Sequence, residues 1–597
     1  ETGIKQYLLA ASMCVGLTAC SDFFEPIPGV QFGLDETFAS KQRTEEYLNN
    51  VYSYVREVTD AIHPNTYGGI FTEASLDGAN RWNKTYAEWT NGSFNSASAQ
   101  ASEYFSKYYQ AIAKASTFIQ NVDKCTEAAA STRGKWKSEA RALRAYYYFE
   151  LLRLYGPIPL IGEDPIPLDA SLEELIKERN SVDECVNFIA TELQSAIDSG
   201  DLLQRAGKAN LGRMDVATCM ALKAKLYLYW ASPLFNGNTD QASVKNKDGK
   251  QLFPQTEDHS KWTQARDAYE RFMTFATGQG YKLTEVYTNG KLDPYASCRA
   301  AGEFFTTTWE AVDELIFVKL RDLYDYTYWV CPKFTDFQDT DVTGGGGYYT
   351  TQETVDLFFT KDGLTIEEDP GYDKFEGVPG ANNFTSGRYY DPNNPSRLYF
   401  DADKSKVLKQ WKDREPRFYV NITYSGSIWL NEGKYNEEMR TDFTNGANGT
   451  CGKSKASGDC PDSGYLIRRG AKASNNNGSK HFSPVLRLAD MYLGYAEALC
   501  MCSDLDNALT YLNKIRVRAG IPEYTFTATA GKITCPKTQT DLLNRIRRER
   551  LVELVFEWNR YFDVRRWKVA EGQNDPEHWI YPAYHTGGEG GKVYGMN

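Results

Sequence analysis

The chain has 597 residues, with 67 Lys and Arg against 79 Asp and Glu and a formal net charge of −12. That length buries a large core, as one domain or two. The acidic balance, with no long basic run and no basic, aromatic-laced patch, argues against a nucleic-acid partner held through phosphates and is a poor match to anionic lipid.

At the N-terminus, Glu1-Thr2-Gly3 reads as added residues and Lys5 opens a short charged region. Tyr7 to Leu17 is then an apolar stretch of signal-peptide length, too short to span a bilayer. Leu17-Thr18-Ala19-Cys20 fits a bacterial lipobox. Residues 1–20 are therefore expected to be a lipoprotein signal, with Cys20 lipidated and left as the mature N-terminus. Two or three acyl chains anchor stably, since burial contributes ~0.8 kcal/mol per CH₂. Apolar runs further on, such as Leu222 to Phe235, contain Lys or Pro and are not membrane spans.

Helical periodicity follows at Ser40 to Val58, Ala101 to Val122 and Gly134 to Tyr155, the last stopped by Gly156-Pro157-Ile158-Pro159. Between the first two lies DGANRWNKTYAEWTNGSF (Asp77 to Phe94), where Trp82, Tyr86 and Trp89 interleave with Asp77, Arg81, Asn83 and Lys84. Sugar recognition needs flat apolar faces for the ring and planar polar groups for the hydroxyls. This cluster supplies both, with Trp82 the strongest candidate and Asn83, Arg81 and Asp77 its hydrogen-bonding partners. A helix end with core aromatics would read the same way.

Val182 to Ser199 and Val216 to Ala231 form an expected antiparallel pair, and Ser260 to Thr277 another helix. Paired helices with Ala at close contacts and Tyr opposite suggest tetratricopeptide-like units of irregular period. From about Gly278 to Phe482 the chain is rich in Gly, Asn, Asp, Thr and aromatics. Glu314 to Leu320 and Phe418 to Tyr424 read as short strands, Gly344 to Gly347 as a flexible tract, and Gly371 to Phe400 and Asn445 to Gly478 as long loops. A second aromatic cluster holds Trp309, Tyr324, Tyr326, Tyr328 and Trp329, then Tyr348 and Tyr349. Extended backbone would put Tyr324, Tyr326 and Tyr328 on one face, as a ligand surface or as a half-buried strand. Arg388 and Tyr390 are further candidates in a long loop. Cys451 and Cys460 bracket a Gly/Ser/Lys loop and are expected to bridge, whereas Cys500 and Cys502 pack as small hydrophobes. No Cys/His spacing resembles a metal site, no cofactor motif is present, and no catalytic elbow, P-loop or zinc motif occurs.

The C-terminal stretch Asp541 to Lys568 (DLLNRIRRERLVELVFEWNRYFDVRRWK) puts Leu551, Leu554, Val555, Trp558 and Phe562 on one helical face. Arg545–Glu549, Arg550–Glu553 and Glu557–Arg560 are spaced to pair across single turns, worth ~0.3–0.5 kcal/mol each on a surface. As a block it closely resembles the C-terminal signature of the SusD/RagB family of surface nutrient-binding lipoproteins. Ser483 to Leu499, Ala508 to Pro522, Thr350 to Gly363, Arg414 to Phe418, Glu73 to Asp77 and Tyr108 to Asn121 resemble further family motifs, in the family's order.

The resemblance implies a mainly α fold: a tetratricopeptide-like superhelix of four units, near 101–155, 181–231, 260–320 and 484–520, with an irregular loop-rich, short-strand part carrying the ligand site. It divides the mature chain into an N-terminal region, 21–345, and a C-terminal region, 346–597. It also implies a non-enzymatic, lipid-anchored protein of the outer membrane's external face. Such a protein captures oligo- or polysaccharide for a SusC-like TonB-dependent transporter. Peptide or glycoconjugate cargo, or an exported glycoside hydrolase using two of the many carboxylates, are the alternatives.

Overall fold

The computed structural model describes the chain from Gly33 to Ile580, apart from residues 57–69, 76, 81–94, 96, 163–169, 303–312, 322–323, 335–343, 374–378, 431–438, 444–450, 452–458, 472–480 and 571–578. Two short helices lead in, α1 (Leu34–Ala39) and α2 (Lys41–Tyr52). Ser40 separates them in extended backbone, and its hydroxyl accepts the Arg43 N–H. The expected single helix from Ser40 therefore starts one residue later and has a partner before it. A two-residue strand, β1 (Ala79–Asn80), precedes α3 (Ala99–Asn121) and α4 (Ala130–Tyr155), which form the first helical hairpin. The second is α5 (Val182–Asp198) with α6 (Val216–Ala231). Ser181 and Glu184 close a capping box at the head of α5, and Asp215 caps α6.

Successive helices from α3 to α7 (Ser260–Gly278) each pack on the next, which makes a tetratricopeptide-like stack. The chain then leaves that stack. It runs through α8 (Pro294–Gly302), β2 (Leu315–Arg321), α9 (Tyr324–Val330), β3 (Tyr348–Tyr349), α10 (Gln352–Leu357), the hairpin β4 (Arg388–Asp391) and β5 (Asn394–Asp401), α11 (Pro416–Asn421), β6 (Ile422–Tyr424), β7 (Tyr465–Ile467) and β8 (His481–Arg487). It returns as α12 (Leu488–Met501), which packs against α7, and α13 (Leu505–Ala519) completes a hairpin with α12. The third expected unit, 260–320, is thus not a hairpin of consecutive sequence. Its second helix is supplied from more than two hundred residues downstream, and the irregular region is an insertion between the two.

Several local expectations change. The strand expected over Phe418 to Tyr424 is cut short: Pro416–Asn421 is helix and only Ile422–Tyr424 is extended. The loop expected at 371–400 contains the β4–β5 hairpin, pinned by Tyr399 stacked on Tyr419 at 3.9 Å. Ser483 to Leu499, which resembles a family helix, opens as part of strand β8, paired antiparallel with β2, and becomes helix only at Leu488.

The last helical block is also divided, into α14 (Gln539–Glu553) and α15 (Asn559–Arg566). Phe556 and Trp558 between them have φ of 62° and 66°. Leu554, Val555 and Phe556 are consecutive and all buried.

The charges of this block do not pair along one surface. Arg550 bonds Asp490 and Asp563, both at 2.6 Å, while Arg566 holds Glu497 at 2.6 Å and Asp563 at 2.8 Å. Glu549 meets Arg417 at 2.6 Å and Arg516 at 3.0 Å. Glu553 meets Arg487 at 2.7 Å, Arg417 at 3.2 Å and also Arg518. Of the residues in the three expected pairs, Arg545 alone finds a single-turn partner, and it is Asp541 rather than Glu549. The expected surface ladder is a buried ionic network that ties α14 and α15 to α11, α12 and α13.

Candidate functional site

The insertion's main sheet is ordered β1-β3-β7-β6 with every neighbour antiparallel. Asn80 stands opposite Tyr348, and Ile422 opposite Ile467. The end of β1, the start of β3, the end of β7 and the start of β6 therefore share one edge. From that edge the sequence continues into 81–94 after Asn80 and into 468–471 after Ile467, and it arrives at β3 through Gly344–Gly347.

On this edge sits α9. Its last carbonyls have no helical partner, as at any helix end. The glycine tract supplies the missing donors: Gly345 N–H to Tyr328 O at 2.8 Å, Gly347 N–H to Trp329 O at 3.1 Å and Gly346 N–H to Cys331 O at 2.9 Å. The contact leaves no room for side chains. A Cβ on Gly345 would overlap the Trp329 ring, and one on Gly344 would overlap the Tyr328 and Cys331 carbonyls. The four glycines, expected to be a flexible tract, are a close-fitting seat.

Upon that seat Tyr328 and Trp329 are half-buried and meet edge to face, with centroids 5.1 Å apart at 86°. Tyr326 turns the other way. It is buried, its hydroxyl donates to Arg469 O at 2.8 Å, and burial raises its pKa well above the usual phenol value. The alternating Tyr324, Tyr326, Tyr328 face required extended backbone. Helical spacing sends Tyr326 inward and leaves Tyr328 and Trp329 as the ledge. Beside it Lys333 pairs with Asp459, whose backbone abuts Gly346. The two rings stand perpendicular, so a ring face and a ring edge are set beside charged hydrogen-bonding groups, the kinds of group that the face and the hydroxyls of a sugar ring take up.

Asp77 is not at such a surface. It is 1% exposed and paired with Arg560 at 3.2 Å, and Arg560 also holds Glu353. Burial raises the Asp77 carboxyl despite the guanidinium. Thr350 donates its hydroxyl to Asp77 O at 2.5 Å. This correction makes Asp77 the anchor of the segment that starts at β1 rather than a hydroxyl ligand. Arg81, Trp82, Asn83, Tyr86, Trp89 and Trp309 lie outside the described residues. Arg388 and Tyr390 are in the β4–β5 hairpin, with the guanidinium 5.5 Å over the Tyr390 ring and 3.9 Å from Asp401. Cys451 and Cys460 are buried thiols and do not form the expected bridge. The Cys451 N–H is held by Asp442 O at 2.9 Å, and the residue before Cys460 by Lys333, so each end of the loop is fixed separately. Among the described residues no cluster of His, Cys, Asp and Glu is arranged to hold a metal ion.

The comparisons with known proteins agree with this architecture. Residues 314–589 match a family model described as the SusD family, and residues 31–228 match one described as starch-binding associating with outer membrane. A curated SusD-like protein from Bacteroides ovatus is 27% identical over 175 residues, which is 28% of this chain and spans only 30% of that relative. The solved structure of BT4246 superposes with a TM-score of 0.70 at 25% identity, covering 89% of each chain. A SusD-like carbohydrate-binding protein from Bacteroides fragilis gives 0.61 at 19% identity, over 90% of this chain and 88% of its own.

Proposed function

We propose that this chain, which belongs to the SusD family, is a surface lipoprotein that grips oligo- or polysaccharide at the Tyr328–Trp329 ledge and passes it to a SusC-like TonB-dependent transporter. The observation that carries the reading is the ledge itself. Two half-buried aromatic rings are held on a tract of four glycines, at the sheet edge from which the Trp82-containing segment departs. The starch-binding name of the N-terminal family model supports a glycan as cargo. No helix among the described residues is long and apolar enough to cross a membrane. In this reading attachment to the outer membrane's external face comes from acyl chains on Cys20. The protein binds and hands over its cargo without turning it over.

Isothermal titration against a panel of oligosaccharides tests the site. At least one glycan binds, and Trp329→Ala weakens it at least about tenfold, near 1.4 kcal/mol. Trp82→Ala acts in the same direction if the departing segment shares the ligand. Equal affinity in both variants removes the site as drawn. A peptide panel run alongside separates glycan from peptide cargo. Release of reducing sugar from any bound glycan would replace the binder by a glycoside hydrolase.

A further inference from the structure

A second cleft, of about 430 Å³, opens where the C-terminal end of α4 meets α15. It shares no lining residue with the ledge. Its floor holds Gly156, at φ +71°, where a Cβ would come within 3.0 Å of Phe253. Aromatic walls come from Tyr155, Phe235, Phe253 and Tyr561. Three cations line it, Arg153, Arg565 and Lys568, against one carboxylate, Asp240. That balance is the reverse of the chain's own −12.

Two of the cations are occupied. Arg153 is committed to Glu150 at 2.6 Å, and Lys568 to Asp240 at 2.6 Å. Arg565 is different. Its guanidinium lies over the Tyr561 ring at 3.6 Å and spends one N–H on Tyr561 O at 2.9 Å. Among the described residues no carboxylate reaches it. Stacking fixes the plane of the fork and leaves its outer N–H groups for a bidentate acceptor. A planar oxyanion is what such a fork binds best. The cleft's volume is in the range of small-molecule sites. Phe235, Phe253 and Tyr561 are buried, so the half-buried Tyr155 is the part of the aromatic wall that an apolar ring face could meet beside the anion.

We propose that this cleft is a binding site for a uronic-acid sugar, with the sugar carboxylate on Arg565 and the ring against the aromatic wall. The site stands whether or not the ledge binds a glycan. The test uses sodium glucuronate as probe, with glucose and sodium sulfate as controls, in titrations of the whole protein followed by calorimetry and by NMR. Glucuronate binds saturably and about tenfold more tightly than either control, because the fork and the wall act together. Arg565→Gln lowers that affinity about tenfold. Arg565→Lys keeps the charge but not the fork and recovers only part of it, and this variant carries the test if the Gln protein melts early. Trp329→Ala leaves glucuronate binding unchanged. Equal affinity in wild type and both Arg565 variants overturns the site, as does sulfate binding as tightly as glucuronate. The absence of saturable glucuronate binding also overturns it. Loss of glucuronate binding in Trp329→Ala would move the sugar to the ledge and equally overturn it.

Discussion

The C-terminal ionic block and the aromatic ledge both set polar groups among aromatic rings, and they use them in opposite ways. In the block, Arg417, Arg487, Arg516, Arg518, Arg550 and Arg566 are all buried, and each guanidinium is spent on carboxylates. In the ledge, Tyr328 and Trp329 keep part of their surface open, and the Lys333–Asp459 pair at the rim is about 30% exposed. A buried ion pair gives up hydration and in return fixes one arrangement of the elements it joins. A half-exposed aromatic keeps its face for a ligand. The block holds five helices in register, and the ledge leaves part of two rings open on the frame that results.

Removing a member of the block has the largest expected effect. Glu553→Gln leaves Arg417, Arg487 and Arg518 without the carboxylate they share. Breaking a buried pair from one side costs about 3–5 kcal/mol. The guanidinium groups hold Glu553 well below the ordinary carboxylate range, so the wild-type contribution is complete above about pH 4.5 and is lost progressively as the pH falls below that. Urea unfolding at pH 7 reads the change directly. A loss under about 1 kcal/mol, the value of a surface pair, would return these charges to the solvated face that their spacing alone suggests.

The sequence carried the helical scaffold well. The 3.6-residue period, the Gly-Pro stop after Tyr155 and the Ser181 and Asp215 caps are local signals, and those helices lie within a few residues of expectation. Three things were not local. The pairing of α7 with α12 spans the whole insertion, which no window of sequence reports. The block's partners for Arg550 and Glu553 come from other elements, so i,i+3 spacing pointed to the wrong neighbours. The direction of Tyr326 depends on whether 324–330 is helix or strand, and that choice is made by the glycine tract whose N–H groups complete the helix end. A run of four consecutive glycines was the available signal for the seat. It reads as flexibility until the rings that fill the missing side-chain space are placed.

A second prediction tests the join between the two regions. Glu73 lies in the short helix Ile70–Glu73, four residues before Asp77, and burial alone pushes its carboxyl from 4.5 to about 8. The folded protein therefore holds this proton more tightly than the unfolded chain. Below about pH 4.5 both states carry it and nothing is lost. Between 4.5 and 8 the unfolded chain sheds it first, so stability falls with rising pH by up to about 1.4 kcal/mol per unit. Above about 8 the penalty is complete. Glu73→Gln has no such proton, so the gap between its melting temperature and the wild type's widens through that window and is flat outside it. Parallel melting curves from pH 5 to 8 would show that Glu73 is solvated.

The smallest effect isolates the ledge. Gly345→Ala adds one methyl where the Trp329 ring already stands, so the ring has to turn or the tract has to lift. Lifting it strains the N–H bonds that Gly345 and Gly347 give to α9, at about 1 kcal/mol each. Turning the ring leaves those bonds intact and changes only the angle offered to a ligand. Glycan affinity is expected to fall about tenfold, near 1.4 kcal/mol, while the urea midpoint moves far less than in Glu553→Gln. The two readouts then separate the regions: one substitution lowers stability and spares affinity in the folded fraction, and the other lowers affinity and nearly spares stability. Gly345→Ala binding glycan as well as wild type would mean that Trp329 is not held by the tract. The ledge would then lose the rigid seat that sets it apart from an ordinary half-buried pair of rings.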